Sequence, residues 1–361
     1  MIIREKNPHG GQIYDKNILL DFSVNVNPNG TPDSVIEAAI SGVMQSSSYP
    51  DAFCTELRKA IALHYGTDEN FVICSNGGAE LIFQTVAALK PKRGLIVEPT
   101  FCEYRQSLEA TGCIAETYQL KAENGFNLEA SEKNILDKIK QDTDVVFICN
   151  PNNPTGMVTP KTTLNKILAK CNQVGAALFI DESFGELSEG YDEFSMISEV
   201  ESSPNLFILK SMTKTYAIAG LRLGFGLCAD EKLIERICKH SQCWNVSLPA
   251  QMAGIQSLKC TDYVKNTLKI LVTEKEFLTK RLTNLGIKVF EGRANYLMIQ
   301  ADRRLYSLLL AKGIMIRQCS NFCGLDDSYF RIAVRDHDEN LVLIQTLEEI
   351  GKEVDLCIGQ V

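Results

Sequence analysis

The 361-residue chain is 45% apolar and 23% charged, with a formal net charge of −8; this is an ordinary globular composition, long enough for a large core and more than one domain. No long basic run is present, which excludes a nucleic-acid surface, and no apolar run reaches the ~18 residues of a membrane span. The stretch Met1 to Lys6 carries no signal-peptide core, and the thirteen cysteines are irregularly spaced with no C-x-x-C pair, so the expectation is free thiols in a reducing cytoplasm, without disulfides, metal or iron–sulfur cluster.

Residues 1–30 have little helical period; the alternation Phe22, Val24, Val26 predicts a short strand, and Asn27-Pro28-Asn29-Gly30 a turn. Thr31 to Met44 reads as a helix with Val35, Ile36, Ala39, Ile40 and Val43 on one face, and Cys54 to Tyr65 as a second helix with Leu57, Ile61 and His64 on one face. The apolar run Phe71 to Cys74 feeds a glycine turn and a helix from Ala79 to Leu89. Backbone N–H groups at such a helix start point at anions, although a Gly-Gly turn alone is also a plain helix start.

Strand and helix patterns then alternate. Strands are predicted at Gly94–Glu98, Val145–Cys149, Ala177–Asp181, Leu206–Leu209 and Gly224–Cys228, with helices over 102–112, 160–174 and 230–242. Continuous apolar strands separated by helices imply a mostly parallel sheet covered on both faces, with ligands at the carboxyl ends of its strands. From Pro249 the pattern changes: a long helical stretch to Leu285 with no clear break beyond Cys260-Thr261-Asp262, strands at 287–290, 296–299 and 330–335, and helices over 302–312 and 338–351, an α+β unit.

The polar motifs lie just past the strand ends. After Leu206–Leu209 come Ser211, Lys214 and Arg222. A carbonyl-reactive lysine flanked by phosphate-binding groups suits an aldehyde cofactor with a phosphate tail: the lysine forms a Schiff base, while Ser211 and Arg222 hold the phosphate. The plain alternative is a turn with a solvated lysine and a surface arginine; serine acylases also use S-x-x-K, but their K-T-G is not found here. Asp181, ending its strand, is a candidate to keep a pyridine nitrogen protonated; Asn153, in Asn150-Pro151-Asn152-Asn153-Pro154-Thr155-Gly156, to hydrogen-bond a phenolate oxygen; and Phe101 to stack on the ring.

With N-G-G-A, N-P-N-N-P-T-G, D-E, S-x-x-K and R in this order across 75–225, the chain resembles the fold-type I pyridoxal-phosphate enzymes of the class I/II aminotransferase superfamily. The resemblance implies pyridoxal 5′-phosphate bound through Lys214, with Asp181, Asn153 and Phe101 at the ring and Gly78, Ala79, Ser211 and Arg222 at the phosphate. It implies a large α/β domain over 31–248 with a mostly parallel sheet, a smaller α+β domain over 249–361, and an N-terminal arm over 1–30 packing with the small domain. It also implies a homodimer, with Tyr49 of the partner subunit reaching the cofactor phosphate. Within the superfamily, His9-Gly10-Gly11, Asp21-Phe22-Ser23-Val24-Asn25-Val26-Asn27-Pro28, Tyr49-Pro50-Asp51, Gly292 to Leu297 and Ile316-Arg317-Gln318-Cys319 resemble the L-threonine O-3-phosphate decarboxylases, which make the aminopropanol phosphate linker of cobalamin. Histidinol-phosphate aminotransferases share the general motifs and are the alternative.

By that resemblance Arg317 and Arg331 are substrate arginines, and His9 and Asn25 are arm contacts to the substrate phosphate; Arg335 is either a further anchor or a surface residue, the surface reading carrying more weight. Phe184 stands where many aminotransferases place a tyrosine, and a phenyl ring donates no hydrogen bond. Trp244-Asn245-Val246-Ser247 replaces the W-S-V-N often seen near the ring edge, which leaves open whether the substrate is threonine phosphate or serine phosphate; one methyl changes discrimination by only ~1–3 kcal/mol.

Overall fold

The computed structural model describes residues 9–14, 17–129, 132–354 and 356. In chain order its strands are β1 (Leu20–Asp21), β2 (Val72–Ser75), β3 (Arg93–Glu98), β4 (Ile114–Gln119), β5 (Val145–Cys149), β6 (Ala177–Asp181), β7 (Leu206–Ser211), β8 (Gly224–Leu227), β9 (Lys288–Phe290), β10 (Tyr296–Gln300), β11 (Ile314–Met315), β12 (Arg317–Gln318) and β13 (Tyr329–Ala333). Seven of them form one sheet in the order β2-β8-β7-β6-β5-β3-β4. Within it β4, β3, β5, β6 and β7 are parallel, while β8 runs antiparallel to both β7 and β2.

Both faces of this sheet are buried, which is why its central strands read as unbroken apolar runs. Leu95, Val146, Leu178, Ile180, Leu206 and Ile208 point to one face, where Leu57, Ile61, Ile167 and Ala253 meet them from helices Thr55–Tyr65, Lys161–Val174 and Leu248–Ser257. Ile96, Phe147, Phe179, Phe207 and Leu209 point to the other, against Leu81, Ile82 and Val86 of helix Gly78–Leu89. Phe147, Phe179 and Phe207 stand in register on three adjacent strands. Their rings, 4.8 and 5.0 Å apart, form a row that continues to Tyr104 at 5.2 Å from Phe147.

A second, antiparallel sheet has the order β12-β13-β10-β9. Helices Thr261–Asn284, Leu305–Ala311 and His337–Glu353 accompany it, around a core of Leu278, Leu297, Ile299, Phe330, Ile332 and Leu343. The helical stretch expected from Pro249 to Leu285 is two helices, Leu248–Ser257 and Thr261–Asn284; the first packs on helix Asp33–Met44.

The arm departs from expectation. Its strand is β1, two residues before Phe22, and it pairs in parallel with β11, Leu20 opposite Ile314. Beyond it the alternation is real but reversed: Ser23, Asn25 and Asn27 are buried, and Val24 and Val26 only half-buried. The buried polar groups are satisfied across the molecule. Asn27 Nδ2 donates to Thr215 O at 2.9 Å, and Asn295 Nδ2 donates to Asn25 O at 3.1 Å. Strand β4 was not expected, because at the sheet edge its residues are mixed in character and only Tyr118 is buried. Among the described residues no disulfide joins two cysteines, and no helix is long and apolar enough to cross a membrane.

Candidate active site

The carboxyl ends of β3, β5, β6 and β7 open into a cavity of about 480 Å³, roofed by the arm and by β12 and β13 of the second sheet. His9, Asn25, Gly78, Ala79, Phe101, Asn153, Asp181, Ser211, Lys214, Arg222, Arg317 and Arg331, scattered over more than three hundred residues, all line it. Tyr49 does not: it is 79% exposed and stacks on Trp244 with ring centroids 4.5 Å apart.

At one end the chain builds an anion cradle. Gly77, at φ +89°, turns the backbone from β2 into helix Gly78–Leu89, so the N–H groups of Gly78 and Ala79 open the helix. The positive φ of Gly77 favours glycine, and a β-carbon there would sit 2.5 Å from a guanidinium nitrogen of Arg222, so that side chain would have to move aside. Arg222 is itself held in the left-handed region at φ +57°, with Nη1 donating to Ala219 O at 3.1 Å. Ser211 and Thr213 share a hydroxyl contact of 2.7 Å, and Lys214 Nζ lies 3.5 Å from Ser211 Oγ.

Lys214 sits in the single turn Met212–Thr215 that follows β7. The arm grips this turn: Asn27 N donates to Lys214 O at 2.9 Å. Burial lowers the lysine's pKa to about 8, against the pull of Asp181 and with help from Arg222 and Arg331. Asp181, at the end of β6, accepts from Tyr104 Oη at 2.7 Å and from Ser183 N at 2.9 Å. Cys149 beside it is pushed up to about 12 by burial, a neutral thiol in the wall. Phe184 is buried with its ring 5.7 Å from Lys214 Nζ, and it meets Tyr296 edge-on at 5.1 Å.

At the other end lie two arginines. Arg331, on β13, is buried and donates to Asn153 Oδ1 and, at 2.9 Å, to Ser23 O. With its amide oxygen turned toward the guanidinium, Asn25 accepts from Arg331 Nε at 3.1 Å. Burial lowers Arg331 to about 10 and also lowers Arg317. Arg317, on β12, donates to Asn321 Oδ1 at 2.6 Å. His9 Nε2 meets Glu103 Oε1 at 2.8 Å. Arg335 is half-buried, pairs with Glu339 at 2.8 Å and does not line the cavity.

Tyr104, Glu103 and Asn27 escaped the sequence reading. The available signals were the place of Tyr104 three residues after Phe101 in one helical turn, and the second asparagine of Asn25-Val26-Asn27. In Trp244-Asn245-Val246-Ser247 neither polar residue reaches the cavity of its own chain: Asn245 donates to Glu80 Oε2 at 2.8 Å and Ser247 caps helix Leu248–Ser257.

The donor set fits a phosphorylated pyridine aldehyde: an anion cradle, an amine of lowered pKa, a carboxylate fixed by two donors, and an aromatic side chain line one cavity.

The family model for aminotransferase class I and II matches residues 17–347. A threonine-phosphate decarboxylase of Salmonella typhimurium is 34% identical over 354 residues, covering 95% of this chain and 96% of the relative. An adenosylcobalamin biosynthesis bifunctional protein of Leptospira interrogans is 32% identical over 92% of this chain, which spans 39% of that longer protein. Among solved structures, a histidinol-phosphate aminotransferase from Clostridium acetobutylicum superposes with a TM-score of 0.87 at 30% identity, over 93% of this chain and 100% of that one. The chain therefore belongs to the class I and II aminotransferase family of pyridoxal-phosphate-dependent enzymes.

Proposed function

We propose that the protein is a cytoplasmic carboxy-lyase that decarboxylates L-threonine O-3-phosphate to (R)-1-amino-2-propanol O-phosphate for the cobalamin nucleotide-loop linker, with L-serine O-phosphate as a second substrate giving ethanolamine phosphate. The observation that carries this is the two-ended cavity: beyond the cofactor cradle, Arg317, Arg331, His9 and Asn25 form a second anion-binding end under the arm. A substrate bearing both a carboxylate and a phosphate calls for two such anchors. The Salmonella relative supports the choice of reaction.

Pyridoxal phosphate, when bound, would supply a carbonyl for Lys214 and an electron sink for the pair left when a bond at Cα breaks. Ser211, Arg222 and the N–H groups of Gly78 and Ala79 would hold its phosphate. Asp181, fixed by Tyr104 and Ser183, would keep the ring nitrogen protonated, and Phe101 would cover a face. The Asn153 amide gives its oxygen to Arg331, which leaves its N–H₂ for the ring oxygen.

The substrate's anchors choose which Cα bond breaks, because only the bond perpendicular to the ring plane shares its electrons with it. Holding the phosphate between the arm and an arginine would turn the carboxylate out of that plane, and the arm would keep water off. Lys214, with its pKa near 8, would then return a proton to Cα. Phe184 adds no hydrogen bond at the ring oxygen.

Transamination of histidinol phosphate is the competing reading, supported by the Clostridium relative. The loaded enzyme, given each amino-acid phosphate without a keto acid, should release CO₂ and an amino-alcohol phosphate in equal amounts. No CO₂, with turnover of histidinol phosphate once 2-oxoglutarate is added, would sink the decarboxylase. A homodimer in which Tyr49 of the partner subunit completes the cofactor cradle belongs to the same proposal, since Tyr49 points away from its own cavity.

A further inference from the structure

Cys102 and Glu103 begin helix Glu103–Ala110, at the cavity wall, and His9 comes down on them from the arm. One ligand atom from each, His9 nitrogen, Cys102 Sγ and a Glu103 carboxylate oxygen, lie within 4.8 Å of one another. Among the described residues this is the only group of three such side chains that converges so closely. We propose that His9, Cys102 and Glu103 form a binding site for a zinc-class divalent cation at the rim of the cavity, and that the ion competes with the substrate's phosphate for His9. The competition, though not the binding, rests on the substrate reading given above.

Chemistry selects the ion. One imidazole, one thiolate and one carboxylate suit a borderline-soft metal such as Zn²⁺ and do not suit Mg²⁺ or Ca²⁺, which take oxygen ligands. With metal–ligand distances of about 2.0–2.3 Å, tetrahedral geometry puts ligand atoms roughly 3.3–3.8 Å apart. The His9–Glu103 contact, at 2.8 Å, must open slightly and the sulfur must close in, both by side-chain rotation. Two ligands are fixed at one helix start and the third is packed by the Phe101 ring, whose centroid is 5.4 Å from that of His9.

Charge permits it. Arg317 lines the same cavity and would repel a bare divalent ion. A thiolate and a carboxylate cancel the two positive charges, so the assembled site is neutral. Binding releases the Cys102 proton. Three protein ligands leave a fourth position, which water fills. Without the ion, His9 Nε2 is in hydrogen-bonding contact with Glu103 Oε1 at 2.8 Å; with it, the metal-bound ring nitrogen carries no hydrogen to donate to the substrate phosphate.

Cobalt is the probe, because tetrahedral cobalt thiolate has visible bands. Co²⁺ titrated into the cofactor-loaded full chain should give those bands, saturating at one ion per chain and displaced by Zn²⁺. Cys102→Ser should abolish them, and Glu103→Gln should weaken binding more than about tenfold, since loss of even outer-shell partners costs that much. Absent bands, or bands that persist in Cys102→Ser because the exposed Cys238, Cys243 or Cys323 hold the ion, would overturn the site. Zn²⁺ should raise the apparent KM for the phosphorylated substrate with kcat unchanged, and should not do so in Cys102→Ser measured against its own zinc-free rate. Binding without a KM effect would overturn the competition. The spectroscopic titration needs no turnover, so it stands or falls separately from the decarboxylase assay.

Discussion

In the proposed function Lys214 carries the central chemistry, and its burial makes that role testable. Its pKa near 8 means that below this pH the reactive neutral amine falls about tenfold per unit. Uptake of pyridoxal phosphate by the apo-protein should rise with pH up to about 8 and level off above it, which stopped-flow absorbance would measure; a profile still rising at pH 10 would contradict the lowered pKa. Stability carries the same sign. A lysine ordinarily near 10.5 that is pushed down to about 8 in the folded state penalises folding in full below 8, and the penalty is relieved as pH climbs toward 10.5. Thermal unfolding of the apo-protein should therefore show a deficit relative to Lys214→Met that shrinks across that range. Lys214→Arg keeps the charge but has no neutral form at working pH, so turnover should fall by at least about 10²–10⁴-fold in the CO₂ assay.

At the scale of elements, close backbone approach decides what can change. Helix Asp33–Met44 packs on helix Leu248–Ser257, and a β-carbon on Gly42 would sit 2.6 Å from Cα of Pro249. Backbone cannot rotate away as a side chain does. Gly42→Ala should cost about 1–3 kcal/mol, the usual cost of overpacking, read as a lower denaturation midpoint; an unchanged midpoint would mean that the two helices slide apart freely. These elements also show what a sequence can carry. The strands β3, β5, β6, β7 and β8 were legible because burial on both faces leaves continuous apolar runs, and the site motifs were legible because each follows such a run. Strand β4 was not, since an edge strand needs no apolar face. The arm misled because its inward residues, Ser23, Asn25 and Asn27, are polar and matched to distant partners. The contacts of Tyr104 with Asp181 and of His9 with Glu103 join residues 77 and 94 positions apart, and no local pattern encodes such a pairing.

At the scale of the whole molecule, several large apolar side chains on and near helix Asp33–Met44 are left uncovered. Ile36, Ile40, Val43 and Met44 on helix Asp33–Met44 are exposed, as are Tyr49, Phe53 and Trp244. In the sequence the first three of these share one helix face with Val35, yet only Val35 and Gly42 of that helix are buried. A patch of this kind marks an association surface, and under the proposed dimer a second copy of the chain is the occupant that also explains Tyr49. A twofold dimer would carry each Tyr49 away from its own cavity and toward the other. Ile40→Asp should shift sedimentation from dimer to monomer and weaken cofactor retention in the same variant. The sharper test mixes two defective chains, Lys214→Ala and Tyr49→Ala, and lets subunits exchange. In a mixed dimer one cavity has both substitutions and the other has neither. Random exchange makes half the dimers mixed with one intact site in each, so activity should recover to about a quarter of wild type. If Tyr49 served only its own chain, every cavity would keep one defect, and mixing would restore nothing above the sum of the two parents.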